Sequence, residues 1–104
     1  MVGNGLQRGL EPMHPGELLR EDVLPALGIS KAAMARHLRI SRRTLYDLLN
    51  ERTPVTANLA LRLGKLCGNG PALWLNLQRD YDLRTLQAEM ADDLAQIPTL
   101  QAEE

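Results

Sequence analysis

"SKAAMARHLRISRRTLYDLLN" runs from Ser30 to Asn50, and its reading decides the fold. Ser30 and Ser41 are residue types whose side-chain oxygen accepts a backbone N–H at the first turn of a helix, so each marks a helix start. Behind Ser30, Ala32, Ala35 and Leu38 repeat at helical spacing. Behind Ser41, Leu45, Leu48 and Leu49 do the same at i, i+3 and i+4. Leu38 and Ser41 are too close to leave room for a loop, so the two short helices are joined by a tight turn as a helix-turn-helix unit. Such a unit needs a small residue where the second helix crosses the first, and an apolar anchor on the second to set its angle. Ala35 and Leu45 answer both demands. The turn ordinarily takes glycine, because one residue there tends to be left-handed. Arg39 stands in that place, which predicts a turn that is altered or strained.

Working outward, Pro54 closes the neighbourhood and Thr56 caps a fourth helix, with Leu59, Leu63 and Leu66 inward and Gly68 past its end. Gly70-Pro71 opens a fifth helix that puts Trp74, Leu77 and Tyr81 on one face. A further helical pattern, Leu83, Leu86, Met90, Leu94 and Ile97, ends before Pro98. On the other side, Pro15 and Glu17 suit a first turn, and Pro25 is expected to stop that first helix. The apolar set is mostly Leu and Ala, with no Phe, which favours helices over strands. The expectation is an all-α chain: a flexible arm over 1–12, a five-helix helix-turn-helix domain over 13–82, and a C-terminal helix and tail over 83–104 available for a dimer or partner contact.

The formal charge of the chain is −1, but its distribution is uneven. Lys31, Arg36, Arg39, Arg42, Arg43 and Arg52 against Asp47 and Glu51 leave residues 29–52 at +4, while residues 71–104 stand at −5. A basic middle in a near-neutral chain points to an anionic partner for that segment. A helix laid in the major groove offers its N-terminal residues to base edges. Arg42, Arg43 and Thr44 occupy those positions, with Asp47 one turn on; arginine donates two hydrogen bonds to guanine and aspartate accepts from cytosine. Ser30 and Ser41, at helix starts with free N–H groups, suit phosphate oxygens. Lys31, Asn50, Arg52 and Thr53 add phosphate contacts, with Arg36 beside them. Charged helix faces are usually only solvated, but here the paired caps and the Ala35/Leu45 spacing agree with the charge.

Other classes find little support. His14, His37 and Cys67 make no metal-ligand spacing, and no carboxylate pair, nucleophile–base set or phosphate-cradling glycine loop suggests an enzyme. No cofactor is expected. The single cysteine fits a reducing cytoplasm, and no apolar run is long enough to span a membrane. Trp74 and Cys67 read as core. The start MVGNGLQRGLEP lacks the apolar stretch of a secretory signal.

Three blocks carry a resemblance: HPGELLREDVLPALGIS (14–30), ARHLRISRRTLYDLLNERTPVTANLALRLGKLCG (35–68) and PALWLNLQRDYDL (71–83). Together they resemble HigA-type antitoxins, a branch of the Xre/Cro-like helix-turn-helix family. The resemblance implies a lambda-repressor-like core that forms a homodimer and a transcriptional repressor that binds double-stranded DNA at an inverted-repeat operator. It also implies neutralisation of a HigB-type ribonuclease toxin that cleaves mRNA. It places base contacts on Arg42, Arg43, Thr44 and Asp47, and phosphate contacts on Ser41, Asn50, Arg52 and Thr53. Lys31, Arg39 and Glu51 depart from the branch's usual glutamine, glycine and glycine; Glu51 brings an anion near the DNA backbone. Two alternatives stay open: a stand-alone regulator without a toxin, distinguished by the neighbouring gene, and a toxin-masking protein with weak DNA binding, distinguished by co-purification without operator binding.

Overall fold

The computed structural model describes residues 13–102, so the arm expected over 1–12 lies outside the described residues. The first helix, α1, joins three stretches: Pro15–Leu18, a π-helical stretch Leu19–Val23, and Leu24–Leu27. It is followed by α2 (Lys31–Leu38), α3 (Arg42–Leu49), α4 (Ala57–Cys67), α5 (Pro71–Glu89) and a short α6 (Ala91–Ala95). No strand occurs among the described residues.

Pro25 does not stop α1, contrary to expectation. In a regular helix its ring would clash with the carbonyl of residue 21. Here Leu24 N–H reaches back five residues to the Leu19 carbonyl. The wider π turn makes room for the ring and puts Pro25 in the first turn of the closing stretch, where a missing N–H is tolerated. Gly28, at φ 67°, ends the helix instead.

The expected caps are all made. Ser30 Oγ accepts from Ala33 N–H at 3.0 Å, Ser41 Oγ from Thr44 N–H at 3.0 Å, and Thr56 Oγ1 from Leu59 N–H at 3.3 Å. The core gathers Leu19 from α1, Met34, Ala35 and Leu38 from α2, Leu45, Leu48 and Leu49 from α3, Leu59, Ala60 and Leu63 from α4, and Trp74 from α5. Burying each large side chain contributes roughly 1.5–3 kcal/mol, and this one cluster holds α1 to α5 together. Trp74 is fully buried, with its indole N–H donating to Asn69 Oδ1 at 3.2 Å, in keeping with a core role. Cys67 ends α4 half-buried, and burial pushes its thiol up.

The fifth helix is longer than the sequence pattern suggests. It runs unbroken to Glu89, so the boundary expected at 82/83 falls inside it, and only Ala91–Ala95 forms a separate helix. No helix-breaking residue lies between Tyr81 and Glu89 to stop it. From Asp82 to Ala102 no residue is buried, and Leu83, Leu86, Met90, Leu94 and Ile97 stand exposed.

His14 joins the two ends of this bundle. Its Nδ1 accepts from Gly16 N–H at 2.9 Å and caps α1; its ring meets Tyr81 of α5 edge-on at 5.0 Å. With Nδ1 accepting, the neutral ring carries its hydrogen on Nε2, and it bonds the Thr53 backbone. Burial lowers the His14 pKa below the ordinary 6.5, outweighing Glu51, Asp82 and the Thr53 bond, which raise it, with Arg20 adding to the lowering. The unfolded ring takes a proton near pH 6.5 while the folded ring resists it. Stability is therefore full above that pH and declines as pH falls through it. The melting temperature should drop more between pH 7.5 and 5.5 in the wild type than in His14→Asn, which keeps a cap acceptor without the titration. Equal slopes in the two proteins would contradict this role.

Candidate nucleic-acid interface

The first turn of α3 presents Arg42, Arg43 and Thr44, all exposed. They are offered to solvent because Leu45, Leu48 and Leu49 take the whole buried side of this eight-residue helix. Thr44 does not swing freely: its hydroxyl lies 2.8 Å from Ser41 Oγ, so cap and side chain form a small hydrogen-bonded unit. Ser41 thus serves the helix by taking the Thr44 N–H, leaving those of Arg42 and Arg43 to meet an anion.

Asp47 is less available than its neighbours. Its carboxylate lies 3.8 Å from Arg43 Nε and 3.5 Å from Arg52 Nη1, and its side chain is only 24% exposed, against 90% for Arg43. One carboxylate thus sits between two surface arginines. It holds them at the same face, and both pairs are loose enough to part when an anionic ligand competes. Lys31 Nζ lies over the Tyr46 ring at 5.6 Å, which joins the start of α2 to the outer face of α3. Between the two helices a shallow notch of about 180 Å³ is lined by Ala32, Ala35, Arg36, Ile40 and Arg42. Ser30, Lys31, Ser41, Asn50 and Arg52 are all exposed. Thr53 differs from the expectation: its hydroxyl is enclosed with no hydrogen-bond partner, so it does not reach the surface from this position.

Arg39 and Glu51, which stand where the branch usually has glycine, have the same explanation. Ile40 N–H reaches the Ala35 carbonyl and Arg39 N–H the Arg36 carbonyl, both at 3.1 Å. At the end of α3, Arg52 N–H reaches the Asp47 carbonyl at 2.8 Å and Glu51 N–H the Leu48 carbonyl at 3.0 Å. Both helices of the unit close with the same pair of hydrogen bonds, which requires one left-handed residue each. Arg39 (φ 61°) and Glu51 (φ 62°) occupy those places and are the only non-glycine residues with positive φ among the described residues. The turn is therefore strained rather than altered, at a cost of roughly 1–2 kcal/mol per site. Replacing Arg39 with glycine should raise the melting temperature by several degrees, about 1 kcal/mol, checked by thermal circular dichroism; an unchanged or lower value would mean that the Arg39 side chain offsets its own strain.

Three side chains outside the unit hold it, and sequence reading assigned them no such role. From α1, Arg20 Nη1 donates to the Leu49 carbonyl at 2.6 Å and pairs with Glu51 at 3.2 Å. From α4, Arg62 Nη1 donates to the Leu38 carbonyl at 2.9 Å, closing the end of α2. From α5, Gln78 accepts from Val55 N–H at 2.7 Å and donates to Asp82 at 2.9 Å, fixing the loop after α3. Two cations thus sit at the carbonyl ends of α2 and α3, where the helix dipoles favour them. Arg20 and Gln78 lie inside the distinctive first and third sequence blocks, which was the available signal.

No model of a protein family matches the chain. Its likeness to individual proteins is close. Antitoxin HigA-1 of Vibrio cholerae serotype O1 is 36% identical over 72 residues, 69% of this chain and 68% of that protein. The antitoxin HigA of Pseudomonas aeruginosa, solved with the higBA promoter, is 37% identical with a TM-score of 0.82, over 88% of this chain and all of that one. This chain belongs to the HigA family of antitoxins. The antitoxin GraA, solved in complex with its operator, matches with 41% identity and a TM-score of 0.82, over 88% of this chain and 94% of that one. Family membership accounts for the all-helical helix-turn-helix fold; within the first and third blocks, Gly16 and Arg20 meet the backbone of α3, His14 caps α1 and Gln78 holds the loop after α3.

Proposed function

We propose that this HigA-family chain is a sequence-specific DNA-binding antitoxin that represses its own operon and neutralises a HigB-type ribonuclease. The observation that carries the reading is the capped α3, with Arg42, Arg43 and Thr44 exposed on its first turn, on a chain at 37–41% identity to antitoxins solved with their own promoter or operator. Each subunit lays α3 in a major groove. A homodimer places two such helices about 34 Å apart, or near a multiple of one DNA turn. Residues 13–82 form the DNA-binding part. The exposed Leu83, Leu86, Met90, Leu94 and Ile97 of the 83–104 segment supply the contact to a second copy or to the toxin, because an apolar row of this length marks an interaction site. The chain has no catalytic step of its own in this scheme and works in the cytoplasm; no helix among the described residues is long and apolar enough to cross a membrane.

Lys31, Arg36, Arg52 and the helix starts supply affinity through phosphate, and binding of this kind releases counterions. A gel shift on the promoter of its own operon tests it. Retention at low salt should fall by about a thousandfold or more between 50 and 200 mM salt if six or more phosphates are contacted. Absence of binding at low salt to any upstream palindrome would sink the reading. Co-expression with the neighbouring small open reading frame tests the antitoxin half, with growth rescue as the expected result.

A further inference from the structure

We infer that Arg20, outside the helix-turn-helix unit, is a positioning residue for DNA binding: it holds the end of α3 and keeps the Glu51 carboxylate away from the phosphate backbone. The inference rests on the DNA-binding reading above. Its ground is a side chain that does two jobs at one place. Arg20 Nη1 donates to the Leu49 carbonyl at 2.6 Å and to Glu51 Oε2 at 3.2 Å, while its Nε donates to Glu21 Oε2 at 2.9 Å. The Leu49 carbonyl is one of the last four of α3, which have no partner inside the helix. A guanidinium there satisfies it and complements the negative end of the helix.

Glu51 explains why a bond to the carbonyl alone would not be enough. It has a left-handed backbone and stands between Asn50 and Arg52, two exposed residues assigned to phosphate. A carboxylate free to move in that loop would face the DNA backbone and cancel part of the attraction of Arg52. Arg20 draws it in against α1, where the Glu51 side chain is only 31% exposed. The His14 ring, buried and neutral, lies in the same patch, so no second cation there competes with Arg20 for Glu51. Glu21 shares the guanidinium but binds through Nε, leaving Nη1 to α3 and Glu51.

The test compares Arg20→Met, Glu51→Gln and the double variant with the wild type, on a duplex carrying the operon's own promoter and on an unrelated duplex, with melting curves for each protein. Arg20→Met keeps the apolar stem and loses the fork. It should weaken binding to both duplexes by about tenfold at low salt, with the deficit shrinking as salt screens the freed carboxylate. Adding Glu51→Gln should recover affinity to within about threefold of wild type, although the Leu49 carbonyl stays without Arg20. Glu51→Gln alone should leave affinity unchanged, because the carboxylate is already turned away. Wild-type binding with Arg20→Met equal to it would overturn the inference and spare the DNA-binding reading. So would a loss that Glu51→Gln does not recover, since Arg20 would then act through the end of α3 alone and not by turning Glu51 away. A gain of tenfold or more from Glu51→Gln alone would show an unmasked carboxylate and overturn it even if Arg20→Met failed to fold. A wild type that binds neither duplex removes the DNA-binding reading first and this inference with it.

Discussion

Gly16→Ala is expected to lower the melting temperature by about 15 °C or more, or to prevent folding. The reason is a backbone contact. A Cβ built on Gly16 overlaps the Leu48 carbonyl oxygen and comes within 3.1 Å of the Leu48 carbonyl carbon and 3.2 Å of His14 Nδ1. Leu48 is fully buried in the middle of the core, so its backbone cannot move without dragging α3 with it. Overpacking of side chains costs about 1–3 kcal/mol, and a clash against backbone belongs at or above the upper end. A loss of about 3 kcal/mol is a large share of the 5–15 kcal/mol that holds a domain of this kind. Gly28→Ala is the control. Gly28 has positive φ but open space around its missing Cβ, so only backbone strain of roughly 1–2 kcal/mol applies. Melting curves that place Gly16→Ala within a few degrees of Gly28→Ala would mean that α1 does not sit on α3 at this distance. The same variant should also reduce DNA binding in any fraction that folds, because the displaced helix is the one proposed to enter the groove.

Much of this molecule is legible in the sequence, and the reasons differ between its parts. Helix starts are local chemistry: Ser30, Ser41 and Thr56 each accept the N–H three residues on, as their types predict. The core face of α3 follows from leucine spacing. What escapes sequence reading is tertiary. Pro25 reads as a stop, because nothing local reveals that a π turn ahead of it will take up the clash. The split between a fifth helix and a further one at 82/83 is an artefact of reading two apolar rows; the helix itself continues because nothing in between breaks it. Among the candidate contacts, residue type and position point to Asp47 and Thr53, yet the surroundings in the folded chain decide their availability. Arg52 and Arg43 flank the Asp47 carboxylate, and the Thr53 hydroxyl turns in. Arg20 is the extreme case. It lies 29 residues from Leu49, and only the folded chain brings its guanidinium to the end of α3.

Arg42→Ala and Arg43→Ala together are expected to cut operator affinity by about a hundredfold or more while changing affinity for unrelated DNA only a few fold. Each arginine on the first turn of α3 is free to present its fork to a guanine edge: both are exposed, and the one ion pair at Arg43 is long, at 3.8 Å, on a side chain that is 90% exposed. A bidentate contact of this sort is worth about 1–3 kcal/mol of discrimination, and two per subunit in a dimer multiply. Arg52→Ala should behave differently, weakening all DNA alike and lowering the salt dependence by about one phosphate contact per subunit. Arg52 also sits 3.5 Å from Asp47, so its removal frees that carboxylate toward Arg43. If the freed Asp47 drew Arg43 in, a loss of sequence preference would be added to that uniform loss. Asp47→Ala in the Arg52→Ala background separates the two effects: recovery of sequence preference assigns Asp47 to holding arginines, and a further loss of preference assigns it to the bases. Should Arg42→Ala and Arg43→Ala weaken every duplex equally, these side chains contact phosphate, and the sorting of α3 into base-reading and backbone-holding residues is wrong.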